Sequence, residues 1–388
     1  MNAERYDVVV IGAGIHGTGI AQAAAARGYS VLLLEQHSPA FGTSSRSSKL
    51  IHGGLRYLES GQFALVRECL RERELLLKLA PELVRLVPFY IPVYRHTTRR
   101  PWQIRVGLSM YSLLGGLGQH VRFTQVPRTQ WGELDGLATQ DLQAVYRYFD
   151  AQTDDAALTR AVLQSAQSLG ATVEMPAEFI GATLQPECRV RYAHGGRTHE
   201  CATHVLINAA GPWVTDVLKK VTPLPFIPAV DLVQGAHIVV DGTTSRGIYY
   251  VEAPRDRRAV FVMPWQGRTL IGTTETRYDG DPAAVHALPQ EIDYLLETYD
   301  HYFPQPRAAN ARESFAGLRV LPRADNSAFH RPRDTLLLCD NDSQPRLVSV
   351  VGGKLTAYRA TAEKLLKLIS PTLPSCRAVA DTRTLRLP

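Results

Sequence analysis

The stretch DVVVIGAGIHG, residues 7–17, decides the fold. Its first five residues are almost wholly apolar, as expected of a parallel strand buried on both faces. The run ends in Gly12, Gly14 and Gly17, spaced GxGxxG, and an alanine-rich helix is expected from Thr18 to Arg27. Gly28 closes that helix, SVLLL at 30–34 reads as a second strand, and Glu35 stands at its end. This is a βαβ unit. Its glycines let the backbone approach a pyrophosphate at the helix N-terminus, and its acid can accept from a ribose hydroxyl. The expected ligand is an ADP-containing dinucleotide.

Working outward, TSSRSSKLIHGGLRYLE at 43–59 packs hydroxyls, a Gly-Gly pair, a histidine, a lysine and two arginines into one run. Such a run can hydrogen-bond a cofactor and also face an anionic substrate. The plainer reading of its serines is a polar loop that caps the next helix. A nicotinamide enzyme does not require this run after Glu35. HVLIN at 204–208 is a further strand entering Ala209, Ala210, Gly211, Pro212 and Trp213. RLVSVV at 346–351 is another, entering Gly352, Gly353, Lys354 and a helix expected over Leu355–Ile369. That turn offers a second set of backbone N–H groups to an electron-rich ligand, although the two glycines would also suit a tight turn with none.

Between these lie strand-like runs at 237–240, 247–251, 259–263 and 269–272, separated by turn residues, which suits an antiparallel sheet. The fold class is therefore α/β. Residues 1–90, 150–215 and 312–388 form a discontinuous, doubly wound nucleotide-binding domain. Residues 91–149 and 216–311 form an inserted mixed or antiparallel-sheet substrate domain. ECLRERELLLK at 68–78 reads as a helix whose charges make a solvated face, with Glu74 and Lys78 at i,i+4 spacing. TTRRPWQIRVGLSMYSLLGGLG at 97–118 reads as a packed helix or loop, or as an interfacial helix whose Arg99, Arg100 and Arg105 meet lipid headgroups.

With 388 residues the chain has room for two buried cores, and 45% hydrophobic with 21% charged residues is ordinary for a globular protein. The formal charge of +6 suits a generic basic surface, attraction to anionic lipid, or steering of an anionic substrate. No nucleic-acid motif accompanies it, so nucleic-acid binding is excluded. Cys69, Cys188, Cys201, Cys339 and Cys376 are scattered, with no CxxC and no His/Cys cluster at zinc spacing. A reducing compartment is expected, and no metal. The N-terminus reads as strand rather than leader, and no apolar run is long enough to span a bilayer. The expected location is cytoplasmic, at most peripheral on the inner face of the cell membrane.

TSSRSSKLIHGGLRYLE resembles the signature of flavin-dependent glycerol-3-phosphate dehydrogenases. Further matches follow in order: TDDAAL (153–158), NAAGPWV (208–214), GAHIVV (235–240), VMPWQGRTLIGTTE (262–275), GLRVL (317–321), RDTLLL (333–338) and GGKLTAYR (352–359). The resemblance implies FAD in a glutathione-reductase-like domain beside an antiparallel, D-amino-acid-oxidase-like domain covering the flavin. It implies oxidation of sn-glycerol 3-phosphate to dihydroxyacetone phosphate, with electrons passing to quinone or another acceptor. There are two departures. The sequence stops soon after the helix following Gly353, so the family's C-terminal helical domain is expected to be absent and a partner chain could replace it. Gln234 stands where the family usually has a basic residue, which weakens the case for a phosphate-bearing substrate.

The resemblance also assigns roles. Gly12, Gly14, Gly17 and Glu35 hold the ADP half of FAD. Thr43, Ser44, Ser45, Ser47, Lys49, Leu50 and His52 run along the pyrophosphate and ring. Gly211, Gly353, Leu355 and Thr356 close around the nucleotide and the pyrimidine end. His52 is the favoured base, with His237 its hydrogen-bonding neighbour or the base itself. Arg56, Arg319, Arg333 and Lys354 form the anion clamp, with Tyr57 adding a hydroxyl. Lys354 can instead polarise the flavin or the developing carbonyl oxygen. Two other functions compete with this one: a flavin oxidase or dehydrogenase of another small hydroxy acid or amine, and a flavin-binding subunit active only with a partner chain.

Overall fold

The computed structural model describes residues 4–116, 118–242, 244–304, 311–323 and 335–388. These residues form two sheets and seven α-helices: α1 (Ile15–Ala26), α2 (Phe63–Leu79), α3 (Pro101–Leu114), α4 (Asp155–Ser168), α5 (Val214–Lys219), α6 (Pro289–Tyr302) and α7 (Tyr358–Ile369).

In the first sheet Glu4–Ile11 lies between two parallel neighbours, Val31–Leu34 and Arg197–Asn208. Thr172–Glu174 and Leu347–Val351 extend the parallel set on either side. Alternate residues serve opposite layers. Val8, Val10, Leu33, Ile207 and Val350 pack with α1, α4 and α7, while Val9, Ile11, Leu32 and Leu206 pack with α5 and the antiparallel strands Ala177–Thr183 and Cys188–His194. The alanines of α1 allow close approach of neighbouring helices. A Cβ on Gly19 would stand 2.6 Å from the Tyr358 ring of α7. Leu365, Leu366 and Ile369 of α7 are buried, each contributing roughly 1.5–3 kcal/mol.

The second sheet runs, from edge to edge, Thr276–Tyr278, Val230–Val240, Arg268–Gly272, Ala259–Trp265, Ile248–Glu252, Val84–Tyr94, Leu142–Thr153 and Leu50–Ile51. It is mixed: Ile248–Glu252 is parallel to Val84–Tyr94, and the other pairs are antiparallel. α6 covers one face, and α2 with α3 covers the other.

The sheets divide the chain differently from the expected boundaries. Val84–Tyr94 and Leu142–Thr153 each run across one, and Glu313–Pro322, expected with the nucleotide domain, pairs along Val230–Val240. Local pattern marks a strand but not its partner, which is set by distant residues. The charges of α2 also need correcting, because they are not a uniformly solvated face. Glu72 and Arg73 are buried, the first against Arg359 and the second against Asp150. Glu74 pairs with Arg73 and His120.

Candidate active site

The two strand–glycine–helix turns of the first sheet open on one cavity of about 480 Å³, lined from both sheets. At one end Gly12 adopts φ +99°, and a Cβ on Gly17 would lie 1.9 Å from the Gly12 carbonyl oxygen. No other residue type fits that turn. The Glu35 carboxylate accepts from the Ala13 N–H (2.7 Å) and the His37 N–H (2.8 Å), so it braces the turn while facing the cavity. The Ile15 N–H donates to Ser44 Oγ at 2.9 Å.

The 43–52 segment is tied down at several points. Thr43 donates its hydroxyl to the Leu318 carbonyl (2.6 Å), and the Ser45 hydroxyl donates to the Gly42 carbonyl. Asp155, the first residue of α4, accepts from the Ser47 N–H (2.9 Å), the Ser47 hydroxyl (2.6 Å) and the Lys49 ammonium (2.6 Å). Thr43, Ser44, Ser47, Leu50 and His52 line the cavity, whereas Ser45 and Lys49 lie behind it. Gly12, Gly14, Gly211, Gly353, Leu355 and Thr356 line it too, and Gly17 is buried beneath Gly12. Thr356 Oγ1 accepts the His52 N–H at 3.1 Å and donates to the His52 carbonyl at 3.3 Å. A buried chain supports the next residue: Arg73 donates to Asp150, Asp150 accepts from the Tyr111 hydroxyl, and that hydroxyl accepts the Gly53 N–H.

The same cavity is lined by His52, Tyr57, His237, Arg319 and Lys354. His237 stacks on Phe315 with ring centroids 5.0 Å apart, and its Nε2 lies 3.0 Å from Ser48 Oγ. Burial, reinforced by Arg319 and Lys49, lowers its pKa to about 3. The imidazole is therefore neutral around pH 7. Arg319 Nη1 is 3.7 Å from Glu275, whose other oxygen accepts from Arg258. Lys354 holds its ammonium 3.9 Å from the Tyr57 ring centroid. Arg56 sits beside Tyr57 in the short turn Leu55–Leu58 but outside the cavity lining, and Arg333 lies outside the described residues.

The Gln234 side chain does not line the cavity, so the expectation that it weakens the case for a phosphate-bearing substrate has no support in its position. Along Val230–Val240 side chains alternate: Gly235 and His237 line the cavity, while Gln234 turns to the opposite face. There it donates to the Glu291 carboxylate and the His286 carbonyl. Sequence reasoning missed Ser48, which was inside the quoted run, and His16, which was inside the GxGxxG turn. His16 lines the cavity against Gly353, both its ring nitrogens are buried with no hydrogen-bond partner among the described residues, and burial lowers its pKa to about 4.

A glycine cradle with no space for side chains, an acid beside it and a cavity also lined by Arg319 and Lys354 fit a dinucleotide with an anionic substrate. A family profile described as FAD dependent oxidoreductase matches residues 7–359. A glycerol-3-phosphate dehydrogenase of Pseudomonas aeruginosa is 40% identical over 381 residues, covering 95% of this chain and 72% of that one. The chain belongs to the FAD-dependent glycerol-3-phosphate dehydrogenase family. Another relative, a D-erythritol 1-phosphate dehydrogenase of Brucella abortus, is 36% identical, with 96% of this chain and 75% of that one covered. Among solved structures, the glycerol-3-phosphate dehydrogenase of Bacillus halodurans complexed with FAD superposes with a TM-score of 0.78 at 28% identity, covering 100% of this chain and 68% of that one. The α/β architecture, with a mixed or antiparallel second sheet, is the one the sequence led one to expect.

Proposed function

We propose that this chain oxidises the secondary alcohol of sn-glycerol 3-phosphate to dihydroxyacetone phosphate, with quinone or another acceptor taking the electrons onward. One observation carries the reading: a single cavity joins a dinucleotide cradle at Gly12–Glu35 to a cluster of His237, Arg319 and Lys354. The Gly12, Gly14 and Gly17 turn and Glu35 would hold the ADP half of FAD. The Thr43–Leu50 segment, with Ser45 and Lys49 bracing it from behind, would follow the pyrophosphate. Gly211, Gly353, Leu355 and Thr356 would close the other side. Bound FAD supplies the hydride acceptor.

The chain's own groups do the rest. Arg319 offers a planar fork to the phosphate and Lys354 a compact charge, with Arg56 and Arg333 as further members of the clamp. His237, neutral and oriented by Ser48 and Phe315, is in the form that takes a proton from the substrate hydroxyl. His52, whose backbone is fixed by Thr356, is the alternative base. A phosphate dianion beside His237 would raise its basicity toward neutrality.

A second substrate, a longer polyol phosphate, is favoured by the Brucella abortus relative, named as an erythritol phosphate enzyme. Anaerobic mixing of the FAD-loaded protein with each phosphate, following flavin absorbance, decides between them. Saturable bleaching by glycerol 3-phosphate is expected. Bleaching by neither, with FAD bound, would overturn the reading, and bleaching only after another polypeptide is added would make the chain a flavin-binding subunit.

We further infer that α3 rests on a membrane surface. Trp102, Val106 and Leu113 are 66%, 50% and 66% exposed and fall on one stripe of the helix, with Arg105 alongside. No described helix is long and apolar enough to cross a membrane. Co-sedimentation with anionic vesicles is expected for the wild type and reduced in Trp102→Ala; a wild type that stays in the supernatant refutes the contact.

A further inference from the structure

Lys354 has its ammonium buried, yet no acceptor among the described residues lies within hydrogen-bonding range of it. Other buried or half-buried cations near the site have carboxylates: Lys49 has Asp155, Arg73 has Asp150, and Arg258 has Glu275. Lys354 has instead the face of Tyr57, 3.9 Å from the ring centroid. Both partners are fixed from behind. Gly54, at φ +75°, leaves no room for a side chain, since a Cβ there would stand 2.2 Å from the Tyr57 ring. Gly353, at φ +123°, packs on the His16 ring and sets the backbone from which Lys354 projects.

An aromatic face attracts a cation through its quadrupole without supplying a negative charge. A carboxylate in the same place would neutralise Lys354 and compete with an incoming phosphate. Resting on the proposed substrate, we propose that Tyr57 is a positioning residue that acts through its ring face: it holds the Lys354 ammonium in place and leaves the charge unneutralised for the substrate anion. The ring, more than the hydroxyl, is what this role requires.

The test is a double-mutant cycle on FAD-loaded protein, using Tyr57→Leu, Tyr57→Phe, Lys354→Met and the Leu/Met double variant. KM and kcat for glycerol 3-phosphate are read from anaerobic flavin reduction, and FAD content and thermal unfolding confirm folding. Tyr57→Leu should raise KM about ten-fold, the scale of a desolvated cation–ring contact. Tyr57→Phe should recover most of that loss, and Tyr57→Leu should add less than about two-fold in the Lys354→Met background. Tyr57→Phe as damaging as Tyr57→Leu, or independent multiplication of the Leu and Met effects, would overturn the inference. A second readout needs no substrate. In lysine-labelled protein the Lys354 ε-methylene resonance, assigned by its loss in Lys354→Met, should be shifted upfield in wild type and Tyr57→Phe but not in Tyr57→Leu. Absence of that shift in the wild type overturns the inference whatever the substrate. If glycerol 3-phosphate does not bleach the wild type, only the proposed substrate fails, and the cycle is run on inorganic phosphate binding read from the flavin spectrum.

Discussion

Asp155→Ala should destabilise the protein by about 3 kcal/mol. The lost carboxylate takes four hydrogen bonds, one of them from the ammonium of Lys49. That ion pair is sealed, with side-chain exposures of 7% for Lys49 and 0% for Asp155. Removing one partner of such a pair strands the other charge, at a cost of about 3–5 kcal/mol. Lys49 keeps its bond to the Ser45 carbonyl (2.6 Å) and its position near the Trp265 and Phe315 rings, which places the figure at the lower end. The measurement is urea unfolding of the apoprotein for wild type, Asp155→Ala and Lys49→Met/Asp155→Ala. The double variant has no stranded charge and should recover about 1–2 kcal/mol. Because Ser44, Ser47 and Ser48 of the same segment line the cavity, FAD release followed by flavin fluorescence should occur at lower urea in Asp155→Ala. An Asp155→Ala protein within about 1 kcal/mol of wild type, or a double variant less stable than the single one, would refute the reasoning.

The remaining predictions concern burial and sterics. His237 and His16 are held neutral by burial, with pKa values near 3 and 4 against about 6.5 unfolded, so between pH 6.5 and 4 the unfolded chain binds protons the folded one does not. Apoprotein stability should therefore fall on acidification, by up to about 1.4 kcal/mol per pH unit for each histidine, and His237→Gln should show a shallower fall in urea titrations at stepped pH. Equal slopes for the two proteins would count against it. Gln234→Lys should leave KM for the phosphate substrate within about two-fold, because its side chain meets Glu291 rather than the cavity. A large change in KM would show that position reaches the site. Gly17→Ala places a Cβ against the Gly12 carbonyl and should abolish FAD retention, read as the ratio of flavin to protein absorbance.

The nucleotide half was legible because its signals are local: an apolar run, three spaced glycines and an acid within thirty residues of one another. The strands of the second sheet from 237 to 272 were legible from turn spacing. Val84–Tyr94 was harder to read because Pro88 and Pro92 interrupt it, and proline is rare inside a paired strand. It is tolerated here because pairing with Ile248–Glu252 is confined to Phe89 and Tyr90. The supporting polar groups left no sequence signal. Arg73, Asp150, Tyr111 and Gly53 are far apart in the chain, and nothing in α2 marks Glu72 and Arg73 as the buried charges among their neighbours. The direction of Gln234 depended on strand register, which pairing with Glu313–Pro322 fixes and composition does not.

The path of the chain between the two sheets has a consequence for dissection. It leaves the first sheet before Leu50, returns after Thr153, leaves again before Val230 and returns by Leu336. Neither lobe is thus a single length of polypeptide, so neither can be expressed by truncation, and exchanging the substrate lobe with a relative would need four splice junctions. Such an exchange would also have to preserve the bond from Thr43 to the Leu318 carbonyl, a tie between the lobes at the cavity wall. Ribosomal synthesis meets the same constraint. The strand Leu347–Val351 completes the first sheet only after both excursions into the second sheet have been made, so the two glycine turns of the cofactor cradle cannot meet until the chain has passed residue 351.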